Sequence, residues 1–194
     1  MYIETQSYDD WLKYRGADEV PGYAGKWCIG FDTLYSFKTY MAYKTNYLEI
    51  GTFDGIAISM LAEAYPDKQF YAVDAFKAGT GTGGGSFHFF LMNNEKHDNV
   101  HLYIGPSEEA IDRIHGDIKF DLIFIDADHS YYAVKQDLLK VIPKLAEGGI
   151  IALHDSDKEG IKRAIEEATA AFGLKKFRAF SCTCLSKEVP PWAK

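Results

Sequence analysis

Five short apolar runs recur along the chain at intervals of roughly 20–30 residues. They are Tyr47-Leu48-Glu49-Ile50, Phe70-Tyr71-Ala72-Val73, Val100 to Ile104, Phe120 to Ile125, and Ile150-Ile151-Ala152-Leu153. Near-continuous apolar runs of this length are expected of parallel strands covered on both faces, where neither side of the pleat meets water. Segments with helical periodicity lie between them. After Gly55 the apolar positions Ile58, Leu61 and Ala62 share a face. Val134, Leu138, Val141, Ile142 and Leu145 form a second stripe, and Ile161, Ala164, Ile165, Ala168 and Phe172 a third. Pro143 ends the middle helix in this reading, and Gly148-Gly149 turns the chain into the fifth strand.

Strand alternating with helix predicts an α/β fold, a doubly wound sheet with right-handed crossovers. The C-terminal stretch departs from the alternation. Phe177-Arg178-Ala179-Phe180 and Thr183-Cys184-Leu185 are β-prone and separated only by Ser181-Cys182. A hairpin there adds an antiparallel strand to a mostly parallel sheet. Residues 1–45 are aromatic-rich (Trp11, Tyr14, Phe31, Tyr35, Phe37, Tyr40) and read as a helical segment. It serves either as a cap over the ligand edge or as a homo-oligomer surface. Residues 46–194 form the sheet domain, so the chain is one domain overall.

Composition narrows the function classes. Of 194 residues, 47% are hydrophobic and 25% charged, which excludes disorder over the whole chain. No uninterrupted apolar run approaches the ~18 residues of a spanning helix, so no membrane association is expected. Lys plus Arg is 21 against 28 Asp plus Glu, giving a net charge of −7. Positive charge occurs only in short pairs such as Lys175-Lys176, which disfavours nucleic acid as a partner. Cys28, Cys182 and Cys184 are too few for a disulfide scaffold, and Cys182-Thr183-Cys184 lacks the second ligand pair of a zinc site. The opening Met1-Tyr2-Ile3-Glu4-Thr5 carries neither a basic nor an apolar leader, and a cytoplasmic location is expected.

In an open α/β sheet, ligands bind beyond the carboxyl ends of the strands, so the residues following each strand carry the candidate chemistry. The first is followed by Gly51-Thr52-Phe53-Asp54-Gly55, where Gly51 permits a close backbone approach and Gly55 opens a helix. The spacing is not the Gly-x-Gly-x-x-Gly of a dinucleotide site, and Glu49 would repel a pyrophosphate. A carboxylate there suits a positively charged ligand group. Asp74, at the second strand's end, is placed to take both hydroxyls of a ribose. Ser107, followed by Glu108 and Glu109, is equally readable as a helix N-cap. The fourth strand runs into Asp126-Ala127-Asp128-His129 and the fifth into His154-Asp155-Ser156-Asp157. Asp126 and Asp155, on neighbouring strands, would suffice for Mg²⁺ or another divalent cation, which retains several waters. Alternatively Asp155 or Ser156 caps the next helix. Gly79-Thr80-Gly81-Thr82-Gly83-Gly84 does match Gly-x-Gly-x-x-Gly. It begins five residues past Asp74 rather than in a strand-to-helix turn, and reads as a flexible loop or lid leading into Phe87–Phe90.

Together these strand ends resemble the class I S-adenosylmethionine-dependent methyltransferases, in order from about Tyr47 to Ser156. Ile125 to Tyr131 and Leu153 to Ser156 are most similar to the small-molecule O-methyltransferases. The similar branches are the catechol and caffeoyl-coenzyme A type, and the cephalosporin hydroxylase and macrolide-sugar type. The resemblance implies a Rossmann-like methyltransferase sheet whose seventh strand is antiparallel. It implies S-adenosylmethionine as cofactor, with Glu49 and the Gly51-Thr52-Phe53 backbone on its methionine portion, Glu49 near the ammonium. It further implies Asp74 on the ribose, and Ser107 with Glu108 bordering the adenine. Asp126 and Asp155 match the metal carboxylates of metal-dependent branches, Asp126 also bordering the cofactor and serving catalysis. His129 stands where catechol-type enzymes carry a catalytic lysine, and is the implied general base. Three positions depart from the pattern. Ala57 stands for a cofactor-touching serine, Ser156 for a metal-binding asparagine, and His154 for a glutamate ligand of the sugar-methylating branch. The implied reaction is in-line methyl transfer to a hydroxyl of a small molecule. Two alternatives remain open at this point: a catalytically inactive cofactor-binding accessory protein of the same fold, and an NAD-dependent oxidoreductase.

Overall fold

The computed structural model describes residues 31–76 and 87–193. Helix α1 spans Phe31–Met41 and leads into β1, Asn46–Ile50. The order continues with α2 (Ile56–Ala64), β2 (Gln69–Asp74), α3 (Phe87–Asn94), β3 (Val100–Ile104) and the single turn α4 (Ser107–Ala110). Then follow β4 (Phe120–Ile125), α5 (Tyr131–Val141), β5 (Leu145–Leu153), α6 (Glu159–Phe172), β6 (Lys175–Ala179) and β7 (Cys182–Ser186). The sheet order is β3-β2-β1-β4-β5-β7-β6. Strands β1 to β5 pair in parallel, while β7 lies antiparallel to both β5 and β6. The doubly wound sheet and its C-terminal hairpin match the sequence expectation.

The apolar runs form strands because both faces are covered. Leu48 and Ile50 point into a core built with Ile111, Val134, Leu138, Ile161 and Ile165. Tyr47, Phe70 and Phe124 point to the opposite core, with Phe37, Met41, Ile58 and Leu61. Strand alternation therefore splits consecutive residues between two helical layers. Residues 1–30 of the segment read as a cap lie outside the described residues. Its remainder forms α1, whose Phe37 and Met41 are fully buried against the sheet. Most of the Gly79–Phe90 stretch likewise lies outside the described residues. Among the described residues no helix is long and apolar enough to cross a membrane.

Three local readings need correction. Leu145 does not close the α5 stripe but starts β5, pairing with Phe120. Gly148-Gly149 is then a bulge inside the strand rather than a turn before it, since the next pair is Leu122 with Ile150. A side chain on Gly149 would meet the Phe120 carbonyl oxygen at 2.8 Å, so the pair of glycines lets the strands close around the extra residues. Phe172, placed on the buried stripe of α6, is 43% exposed where the helix ends against a left-handed Gly173.

The chain builds outward from β1 to β2 and β3, then returns across β1 to place β4 on its other side. The reversal between β1 and β4 opens a crevice at their carboxyl ends, where ligands of such sheets bind.

Candidate active site at the carboxyl edge of the sheet

The loop after β1 is held by backbone at both sides. Gly51 N–H donates to the Val73 carbonyl at 2.9 Å, and Asp126 N–H donates to the Ile50 carbonyl at 2.9 Å. Gly51 has φ +85°, and a Cβ there would lie 2.3 Å from the Asp126 carbonyl oxygen. Only glycine allows β1 and β4 to approach so closely. Gly55 is also left-handed, and no side chain caps the start of α2. From α3, the Asn93 and Asn94 side-chain amides donate to the carbonyls of Asp54 and Gly55 at 2.9 and 3.0 Å.

Beneath this loop sits Glu49, only 3% exposed. Burial pushes its carboxyl well above the usual range, Asp126 and Asp74 push it further, and the Tyr47 hydroxyl offsets part of this. Among the described residues its Oε2 has no hydrogen-bond partner. A buried, unsatisfied acceptor ringed by carboxylates calls for a cation. The ammonium and sulfonium of S-adenosylmethionine meet that demand, whereas a pyrophosphate would be repelled. The glycine-lined approach and the orphaned oxygen therefore fit this cofactor.

Asp74 divides its carboxylate between two loops. Oδ1 accepts Phe76 N–H at 2.7 Å and Oδ2 accepts Phe53 N–H at 2.8 Å. Burial raises its carboxyl above the usual value, and these N–H donors work against the rise. Ala75 N–H is a third backbone donor, and with about four lone-pair sites the carboxylate still has room to accept from a ligand hydroxyl. After β3, the residue capping α4 is Pro106, and no side chain makes the cap bond, so the capping reading of Ser107 does not hold. Ser107 instead lies beside Asp137, a carboxylate of α5 that is 1% exposed. Burial raises Asp137 to about 6 and the Ser107 hydroxyl pulls the other way. Glu108 is exposed at the same corner.

The ends of β4 and β5 converge into one network. His129 Nε2 lies 3.3 Å from Asp126 Oδ1 and 3.7 Å from Asp155 Oδ2. His154 Nδ1 lies 3.3 Å from Asp126 Oδ1 and 3.4 Å from Asp155 Oδ1. The Lys158 ammonium donates to Asp155 at 2.7 Å and to His129 Nδ1 at 2.9 Å. That second contact leaves Nδ1 as the acceptor nitrogen and Nε2–H to face Asp126. Burial works to raise Asp126, but the two histidines together hold it below the ordinary carboxylate value. The Lys158 hydrogen bond lowers Asp155, and the neighbouring Asp126 carboxylate raises His154. Neither Asp155 nor Ser156 caps α6, whose cap position is Lys158 itself. Asp128 turns away and accepts Ser130 N–H at 2.6 Å, while Ser130 caps α5.

This arrangement does not fit a divalent cation. The two carboxylates do need positive partners, and the chain supplies them as Lys158 and the paired imidazoles. Among the described residues no group of three or more His, Cys, Asp or Glu side chains is arranged to hold a metal ion.

Backbone strain gathers at the same edge. The described non-glycine residues with positive φ are Phe53, Phe76, Asp155, Phe180 and Ser181. The first three follow β1, β2 and β5. The last two form the β6–β7 turn, which lies beyond the Leu153–Thr183 pair and so at the same edge. Such strain persists only where the surroundings impose it, and clusters at functional sites.

Glu49, Gly51, Thr52, Phe53, Asp74, Asp126, His129 and Asp155 thus stand along one crevice, with Ser107 and Glu108 at its β3 corner. Sequence reasoning missed Lys158 and Asp137, which come beside Asp155 and Ser107 only through tertiary packing.

The sequence model of a family described as a methyltransferase domain matches residues 48–156. Comparison with curated proteins gives no match. Among solved structures, the O-methyltransferase NovP aligns with a TM-score of 0.70 at 16% identity, covering 83% of this chain and 81% of its own. CalS11, a TDP-rhamnose 3′-O-methyltransferase of calicheamicin biosynthesis, aligns at 0.63 and 16% identity, covering 79% and 76%. An O-methyltransferase from Bacillus cereus in complex with SAH aligns at 0.63 and 18% identity, covering 92% and 90%.

Proposed function

Since the chain belongs to the methyltransferase-domain family, whose model spans more than half of it, we propose that it methylates a hydroxyl of a small-molecule acceptor with S-adenosylmethionine. The observation that carries this reading is buried Glu49, with an unpartnered oxygen beneath a glycine loop at the sheet's switch point. The cofactor, when bound, supplies a methyl on a sulfonium sulfur that keeps the bonding electron pair as the acceptor oxygen takes the carbon. The protein's own work is alignment, charge placement and proton removal.

Glu49 balances the ammonium, the Gly51-Thr52-Phe53 backbone admits the methionine portion, and Asp74 accepts the ribose hydroxyls. Ser107 and Glu108 border the adenine. Asp126 orients His129 through Nε2–H, which places the basic lone pair on Nδ1. An acceptor hydroxyl that displaces the Lys158 ammonium from Nδ1 hands its proton there, and Lys158 then steadies the developing oxyanion. The edge presents carboxylates and imidazoles rather than a positive stripe, which supports a small acceptor over nucleic acid. No step in this account needs a metal.

The experiment is transfer from S-adenosylmethionine carrying a deuterated methyl group to a panel of hydroxylated small molecules, read by mass spectrometry. Labelled O-methyl product is expected. Cofactor binding without transfer to any acceptor, including under saturating conditions, would point to an accessory protein instead.

A further inference from the structure

We propose that the acceptor carries an anionic group, a phosphate or a carboxylate, and that Arg178 of β6 binds it at the ligand edge. The inference rests on the methyl-transfer reading and names the acceptor class for that site. Arg178 reaches the edge through the hairpin. It pairs across the strands with Thr183, which pairs in turn with Leu153, the last residue of β5. Its Nη1 donates to Thr183 Oγ1 at 3.0 Å and to Ser156 Oγ at 3.3 Å, and Nη2 to the Ser181 carbonyl at 3.4 Å. Ser156 and Thr183 are themselves hydrogen-bonded at 2.7 Å. Ser156 adjoins Asp155, so the guanidinium stands one residue from the proton-handling network.

Its partners set this arginine apart. The edge carries Glu49, Asp74, Asp126, Asp128 and Asp155, in a chain with a net charge of −7. Lys158 is committed to Asp155 at 2.7 Å, and Arg163 of α6 to Glu167 at 3.1 Å. Among the described residues Arg178 has no carboxylate within ion-pair distance. It meets only neutral oxygens and remains exposed. Three hydrogen bonds fix the planar fork while Nε–H and one Nη2–H stay available, an arrangement that matches the bidentate geometry of a carboxylate or phosphate. The strained Phe180-Ser181 turn, left-handed at both residues, brings β6 to this position. The Asp126 and Asp155 charges do not bar an anionic acceptor, because His129, His154 and Lys158 surround them.

A purely structural role, latching the hairpin to the β5–α6 loop, makes a different prediction, and two measurements separate the two. The first uses the SAH-loaded full chain labelled with ¹⁵N, following the Arg178 Nε–H resonance during titration with inorganic phosphate and with acetate. A saturable shift with at least one of them, absent for Arg163 and absent with chloride at equal ionic strength, is expected. The anion giving the tighter response identifies the source. The second uses matched acceptors, rhamnose with rhamnose 1-phosphate and catechol with 3,4-dihydroxybenzoate. The anionic member of a pair is expected to be the better substrate. Arg178→Gln should raise its KM about tenfold, the low end for hydrogen bonds to a charged group. Arg178→Lys should restore part of the loss, and SAH affinity should not change. An Arg178 resonance that responds to neither anion, or an Arg178→Gln protein that keeps wild-type preference, would overturn the proposal. Failure of SAH to bind alongside an intact anion response would instead remove the methyl-transfer reading and leave the anion site standing.

Discussion

Asp74 carries two loads at once, closing the loops after β1 and β2 with one oxygen each and keeping room to accept from a ligand hydroxyl. Asp74→Ala should weaken SAH binding by roughly 1–3 kcal/mol, the range for hydrogen bonds to a charged group. Calorimetry on a variant that melts like the wild type checks this, and unchanged affinity removes the ribose assignment. At the other end of the crevice, the positive partners of Asp126 and Asp155 come from the chain. Chelator should therefore leave turnover unchanged while His129→Ala lowers kcat by about 10²-fold or more, within the range for removing a general base. Loss of activity in chelator that returns with Mg²⁺ would reverse that ordering. These residues differ in how far they were legible. Glu49, Asp74, Asp126, His129 and Asp155 announce themselves by standing at the ends of apolar runs, where packing has no use for them. Lys158 and Arg178 look like ordinary surface charges until the fold sets them beside Asp155 and Ser156. The need for a positive partner between two carboxylates was readable from sequence; which cation meets it was decided by a helix start that periodicity does not resolve.

The elements themselves explain which parts of the fold a sequence discloses. Strands covered on both faces leave an unbroken apolar run, so β1 to β4 are visible in the chain. The start of β5 is not, because the Gly148-Gly149 bulge resembles a turn and only pairing with Phe120 distinguishes them. The glycines of the β1 loop can be weighed by what a side chain would meet. Gly51→Ala should cost at least about 2 kcal/mol, combining left-handed strain with displacement of the Asp126 carbonyl. Gly116→Ala, with nothing within 4 Å of its Cβ, should be close to neutral in the same denaturant melts. Equal stability of the two variants would refute the close approach of β1 and β4. The packing of α4 on α5 makes a further prediction. Asp137 is raised by burial to about 6, above its unfolded value, so the folded chain binds its proton more tightly than the unfolded chain. Its contribution is fully present below about pH 4 and is lost as pH rises through about 6, by up to about 3 kcal/mol. Asp137→Asn should therefore melt higher than the wild type at pH 8, with the gap closing toward pH 5. A gap that stays constant with pH would mean Asp137 does not titrate there.

At the scale of the whole molecule, one edge of the sheet collects what the rest avoids. Buried Glu49, the left-handed non-glycine residues described and an uncapped helix start lie at the carboxyl ends of the strands, while the two cores on either side are apolar. The doubly wound order makes this possible by opening a crevice between β1 and β4. In the proposed reading, what enters the crevice depends on Glu49, whose orphaned oxygen favours a cationic ligand, and on a loop without the glycine spacing of a pyrophosphate site. Those two features set S-adenosylmethionine against NAD, the ligand of the competing oxidoreductase reading. Isothermal calorimetry of the full chain with SAH and with NAD tests that choice most directly. SAH is expected to bind one per chain, with affinity falling in Asp74→Ala, and NAD is expected to give no heat. Saturable binding of NAD with none of SAH would contradict the account.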